Sequence, residues 1–207
     1  MARLLSDLGS RSAMAPAATP TTYSGRHSPV ELAVEVNGNP VPPVVLVDSG
    51  VFRGRRWEYL AYHTDKGRVC GQLVEPEVLA QTMRGVTPAV RARMTVTIDG
   101  HTMYRSGSCG FTFGTSGFYA NNRAATNFEA MLPASYARVR IEISGRPAVD
   151  GEPVGRRQLG RGLLVLRLDD LRSVRSMTAW DDKGRLLYRG TAAFSTQGLD
   201  FRPRGAP

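Results

Sequence analysis

Lysine is nearly absent from this 207-residue chain, and cysteine is equally scarce. All but Lys66 and Lys183 of the 27 basic residues are arginines, so arginine carries the formal charge of +9. Two cysteines, Cys70 and Cys109, are too few for a cysteine-rich zinc site. No stretch approaches the roughly 18 consecutive apolar residues of a membrane-crossing helix, which excludes a helical span. The three histidines, His27, His63 and His101, lie far apart, without the spacing of a metal-binding pair. There is no HExxH, no GxSxG elbow and no Gly-Lys-Ser/Thr phosphate loop, so zinc hydrolysis, serine hydrolysis and P-loop chemistry lack their motifs. No cofactor is expected.

What is present is a globular composition, 42% hydrophobic and 22% charged, on a chain long enough for one domain or two small ones. Residues 1–28 are rich in Ala, Ser, Thr and Pro without apolar periodicity after Leu8, and read as a flexible leader. Asp7 and Gly9 interrupt what would be the apolar core of a signal peptide, so no export signal is read as the sequence stands, which makes the cytoplasm the default. An upstream anchor would reverse that to an extracytoplasmic location. Residues 198–207, ending FRPRGAP, read as a flexible tail.

The span 29–197 is expected to be a mainly β, antiparallel sandwich with one or two short helices, divisible into lobes 29–116 and 117–197. Its pattern is short alternating runs closed by turn residues. LAVEV before Asn37-Gly38, PVVLV, and Trp57, Tyr59 and Ala61 alternating with their neighbours are strand candidates. Asp65-Lys66-Gly67-Arg68 and Asp182-Lys183-Gly184-Arg185 predict two similar hairpins. Residues 87–100 (TPAVRARMTVTIDG) echo 132–145 (LPASYARVRIEISG), and both are predicted as strands. Their apolar faces would be Met94, Val96, Ile98 and Val139, Ile141, Ile143, whether the echo records duplication or convergence. A short helix is expected from Glu75-Pro76-Glu77 to Arg84-Gly85, a weaker one over 122–132, and a basic loop over 151–162 before the buried strand LLVLRL.

The run VDSGVFRGRRWEYLAYHTDKGRVCGQL (47–73), Ser108-Cys109-Gly110, MLPASYARVRIEISG and RSVRSMTAWDDKGRLL together resemble uncharacterised β-sandwich proteins of high-GC actinobacteria. The resemblance covers about two-thirds of the chain. It implies a sandwich fold, carries no activity, and extends to proteins that look like ectodomains behind a membrane anchor. This chain departs from that layout in having no anchor as written.

Cys70 on a predicted strand and Cys109 in a Gly-Ser-rich loop suit a disulfide between neighbouring strands in an oxidising compartment; two free thiols are the alternative. The sharpest enzymatic pattern is Asp48-Ser49-Gly50 after the apolar VVLV, which resembles the active-site loop of retroviral-type aspartic proteases, where paired carboxylates share a proton. The match is partial, because Val51-Phe52-Arg53 replaces small residues and ISGRP is the nearest flap partner. An ordinary Asp-Ser-Gly turn is the favoured reading. Asp169-Asp170 and Asp181-Asp182 are adjacent pairs, which on a strand point to opposite faces and cannot chelate together. Arg53, Arg55 and Arg56 around Trp57, with Arg91, Arg93, Arg138 and Arg140, are candidates for an anion or single-stranded nucleic-acid patch. Glu58, Asp99 and Glu142 share those faces, so a solvated surface outranks a dedicated site and nucleic acid is a disfavoured partner. Trp57, Tyr59, Trp180 and Tyr188 are expected as core or strand-pair aromatics. The leading expectation is a non-catalytic interaction or structural module with a protein partner of unspecified identity. An Asp48 protease and an anion binder are the two alternatives.

Overall fold

A computed structural model describes residues 34–52, 54–110, 113–120, 123–168, 171–195 and 198–203; the expected leader, Arg53, Asp169-Asp170 and residues 204–207 lie outside them. The chain is mainly β and its strand pairs are antiparallel. β1 (Pro40–Phe52), β2 (Arg55–Thr64), β3 (Val69–Val74) and the two-residue β6 (Ser108–Cys109) form a four-stranded sheet in the order β1-β2-β3-β6. Between β3 and β6 the chain leaves the sheet through α1 (Pro76–Thr82), α2 (Pro88–Met94) and a hairpin of β4 (Thr95–Ile98) and β5 (His101–Tyr104). β7 (Phe113–Ala120), β8 (Arg123–Pro133) and β11 (Arg161–Leu168) make a three-stranded sheet in the order β11-β8-β7. β9 (Arg138–Ile143), β10 (Val149–Gly151), β12 (Val174–Trp180), β13 (Leu186–Ser195) and β14 (Gly198–Pro203) make a five-stranded one, while α3 (Arg156–Leu159) precedes β11.

The three-stranded sheet is the middle of the stack. Phe128, Ala130 and Leu132 of β8 face Ile141, Met177 and Phe201 of the five-stranded sheet. The other face presents Met131, Leu163 and Val165 to Trp57, Tyr59 and Ala61 of β2. β2 is itself buried on both sides, because Leu60 and Tyr62 point the opposite way into a core closed by Leu79, Met83 and Met103. Period-2 alternation thus places apolar residues on both faces of β2, and both are removed from water. β9 shows the one-sided case: Val139, Ile141 and Ile143 are buried, while Arg138, Arg140 and Glu142 are exposed. Both Asp-Lys-Gly-Arg hairpins form as expected, with Gly67 (φ 71°) and Gly184 (φ 76°) in the left-handed region that turns of this kind require.

Six expectations are corrected. Residues 34–36 of LAVEV belong to a helical turn at 34–37, closed where the Gly38 N–H donates to the Val34 carbonyl (2.8 Å) with Gly38 at φ 89°. Asn37-Gly38 ends that helical turn. Pro88–Met94 is helix, not strand: Thr87 caps it by accepting from the Val90 N–H (3.4 Å), and Pro88 occupies the first turn, where a missing N–H costs nothing. The echo with 132–145 therefore spans two conformations over its first half and converges on strands and Gly turns in its second. Residues 123–132 form strand β8 in place of the weak helix, and part of the expected loop over 151–162 is α3. Asp48-Ser49-Gly50 is no turn but lies inside β1, since the chain reverses at Gly54 (φ 79°), where Phe52 pairs with Arg55. The expected tail is ordered to Pro203 as β14, because Leu199 and Phe201 alternate with Asp200 and Arg202 and bury themselves in the five-stranded sheet's core.

Candidate functional site

The excursion between β3 and β6 builds a groove of about 650 Å³. Its apolar wall comes from Pro76, Leu79, Ala80 and Met83 of α1 and its C-cap; Arg84 and Arg91 stand at the cationic end. Thr95, Gly100, His101 and Thr102 of the β4–β5 hairpin face them, and Glu58 of β2 completes the lining.

Three local devices hold this arrangement. Asp99 (φ 52°) and Gly100 (φ 82°) both adopt positive φ, so they form the two-residue connection that places Ile98 opposite His101. The Asp99 carboxylate also accepts from the Val44 N–H of β1 (2.9 Å), hooking the hairpin tip to the sheet. At the hairpin's other end, the buried Gln72 side chain imitates a strand partner. Its Nε2 donates to the Tyr104 carbonyl (2.9 Å) and its Oε1 accepts from the Tyr104 N–H (3.2 Å). The same Nε2 lies 3.1 Å from the Tyr62 hydroxyl, whose ionisation burial pushes up to about 12, against a lowering contribution from this hydrogen bond. Arg105 ties the end of α2 to the start of β1, donating to the Ala92 carbonyl (2.8 Å) and to Asn39 Oδ1 (2.9 Å).

Hooked in this way, His101 lies with Nδ1 3.2 Å from Glu58 Oε2, both side chains about a quarter exposed. Nothing near His101 in the sequence marks a partner for it; the structure makes it the half-buried partner of a carboxylate 43 positions away. A histidine and glutamate pair is the beginning of a catalytic arrangement, and covalent catalysis there would add a side-chain nucleophile. The groove's hydroxyls are committed elsewhere: Thr95 donates to the Arg91 carbonyl (3.0 Å), and Thr102 bonds Thr97 (2.9 Å). Arg91 donates to the Met83 carbonyl (2.9 Å), a neutral acceptor that leaves its charge uncompensated.

Cys70 and Cys109 stand opposite each other across the β3–β6 pair and form a disulfide, as the sequence suggested. Pro76 to Thr102, which supply every lining residue except Glu58, lie inside the loop that this bond closes.

The other sequence candidates do not assemble into a site. Asp48 is exposed on β1, opposite Tyr59 beside a bulge, with its carboxylate accepting from the Ser49 N–H (2.8 Å). It lines none of the grooves described. The arginine candidates are dispersed: Arg55 and Arg56 begin β2, Arg91 and Arg93 lie on α2, and Arg138 and Arg140 lie on β9 of a different sheet. Arg140 pairs with Asp150 (2.8 Å), an interaction that holds the Asp150 carboxyl below its ordinary range, and Arg138 stacks over the Trp180 ring (4.5 Å). Asp182 pairs with Arg156 (2.8 Å), and Asp181 accepts from the Lys183 and Arg185 N–H groups (2.9 Å each), so this acidic pair serves the turn. Among the described residues no three His, Cys, Asp or Glu side chains gather at a metal-holding distance, and no helix is long and apolar enough to cross a membrane.

Tyr59 and Trp57 are core residues, as expected, and Tyr188 stacks on Tyr136 at 6.3 Å. Between the middle and four-stranded sheets the Tyr59 hydroxyl donates to the buried Glu129 (2.8 Å), and burial together with this carboxyl pushes the phenol far above its ordinary range. No protein-family model, curated protein or solved structure matches the chain.

Proposed function

We propose that the protein is a non-catalytic binding module of an oxidising compartment, and that its binding face is the groove over the four-stranded sheet. The observation that carries this reading is the combination of an apolar wall, an uncompensated cationic end and hydroxyls already engaged by the protein itself. A cavity of a few hundred cubic ångströms with a few convergent polar groups is the ordinary form of a small-molecule site. His101 and Glu58 fix the hairpin against β2 and shape one side of that site. The disulfide supports the compartment, since such bonds persist where thiols are not kept reduced.

The test is a turnover screen of the oxidised protein against chromogenic esters, phosphates, glycosides and peptides, run beside His101→Ala, Glu58→Gln and Asp48→Ala. No turnover in any of the four supports a binding module. Turnover that both groove substitutions abolish would make the groove an active site, and turnover lost only in Asp48→Ala would move the chemistry to β1.

A further inference from the structure

We infer that the groove's ligand is a small organic acid, a single carboxylate on an apolar ring or chain, with the carboxylate between Arg84 and Arg91 and the apolar body along Leu79, Ala80 and Met83. The inference rests on the binding-module reading and names the ligand class for that same groove.

Charge decides the polarity of the ligand. Glu58 is the one carboxylate among the lining residues, and it faces the His101 ring at 3.2 Å. Two guanidiniums line the groove, and neither has a carboxylate partner among the described residues. Arg91 donates to a backbone carbonyl at 2.9 Å, which fixes its direction without neutralising it. An amine ligand would therefore meet net repulsion, and a neutral one would leave the guanidiniums with water only. A carboxylate matches the planar donor fork of arginine, and charge-assisted bonds of this kind are stronger than neutral ones.

Shape decides the size. The volume of about 650 Å³ lies within the range of small-molecule sites. The wall beside the arginines is α1: Leu79 and the adjoining Met83 are anchored in the core beneath and show only an edge, which holds the more exposed Pro76 and Ala80 in place as a fixed apolar surface. A polyanion would need a continuous basic track, whereas Arg55, Arg138, Arg140 and Arg156 are engaged with Glu75, Trp180, Asp150 and Asp182 on separate elements.

The experiment is calorimetric titration of the oxidised full chain with 2-naphthoate, 2-naphthamide and 2-naphthylmethylamine. It includes Arg84→Gln/Arg91→Gln and two groove-filling variants at exposed positions, Ala80→Trp and Thr102→Trp, each accepted once its melting curve is cooperative. We expect naphthoate to bind the wild type at least tenfold more tightly than the amide or the amine. The double arginine variant should lose that preference, and both tryptophan variants should lose naphthoate binding. If the amide or amine binds as tightly as the acid and the tryptophan variants abolish it, the groove binds ligands but the acid class is wrong. If a 12-nucleotide oligothymidylate binds more tightly than naphthoate and requires both arginines, a polyanion takes its place. If nothing binds, or binding survives both tryptophans, the binding reading falls together with the inference.

Discussion

Replacing both cysteines by alanine removes the cross-link between β3 and β6 with little change in local volume. The bond joins positions 39 apart, and closing a loop of that length lowers denatured-chain entropy by an amount worth about 4 kcal/mol at 25 °C. A domain of this size has a total stability of about 5–15 kcal/mol, so the loss is a large share of it. β6 contributes only two residues and two paired positions to the sheet, too little to hold the strand by backbone bonding alone. Everything from α1 to β5 hangs between the two anchors, and the damage should concentrate there. Urea unfolding of the oxidised protein and Cys70→Ala/Cys109→Ala gives the global difference, with a lower midpoint expected for the variant. Amide exchange gives the local one: protection should fall most over residues 76–104 and least in β9 and β12. Coincident midpoints with unchanged protection over 76–104 would refute the view that the disulfide holds the groove together, as would titration of two free thiols in the protein from its native source.

Gln72→Leu keeps the side chain's approximate size and burial but makes it apolar and removes both bonds to Tyr104, so about 1–3 kcal/mol should be lost and His101 should detach from Glu58. Chemical denaturation with the His101 ring resonances checks both, and an unperturbed His101 would contradict the strand-mimic role. Tyr59→Phe removes the hydroxyl bonded to Glu129 and should cost about 1–3 kcal/mol, measured by thermal unfolding, while a change within error would show that the pair adds nothing to the contact between the two sheets. Tyr62 titrates at about 12 in the fold against an ordinary 10.0, so the folded state retains its proton longer than the unfolded chain. That contribution is complete below pH 10 and is lost as pH rises towards 12, about 2–3 kcal/mol in all, with Tyr59 shifted in the same direction. Urea midpoints that stay flat from pH 9 to 11.5 would contradict it.

Much of the fold is legible where one physical signal dominates. The β9 alternation, the two Asp-Lys-Gly-Arg turns and the Pro76 helix start each form as read, because local chemistry and burial agree there. β8 is harder to read because both its faces meet other sheets. With Glu129 and Met131 on one side and Phe128, Ala130 and Leu132 on the other, its sequence has no alternation to show. Pro88 and Pro133 occupy equivalent positions in two similar strings, yet one opens a helix and the other ends a strand. Thr87 offers a cap where Leu132 offers core volume, and residues further along the chain decide which matters. The groove was illegible for a topological reason. Glu58 and His101 meet only because Asp99 hooks the hairpin onto β1 and Gln72 receives Tyr104, and both contacts join residues over 30 positions apart. The local signal that could have drawn attention to His101 is the Asp99-Gly100 pair, the strongest short hairpin signature in that stretch. Part of the charge that first invites a nucleic-acid reading is taken up in separate ion pairs and a ring stack, by Arg55, Arg138, Arg140, Arg156 and Arg185. What it leaves uncommitted in the groove is Arg84 and Arg91.

The central claim is that ligand enters the groove closed by the Cys70–Cys109 loop. It is tested most directly by backbone amide correlation spectra of the oxidised, isotope-labelled protein during titration with 2-naphthoate. Saturable shifts confined to residues around Ala80, Arg84, Arg91 and His101 to Thr102 are the predicted result. Shifts that gather instead around Asp48 to Val51 or around Trp180, or spectra that do not change up to millimolar ligand, would contradict it.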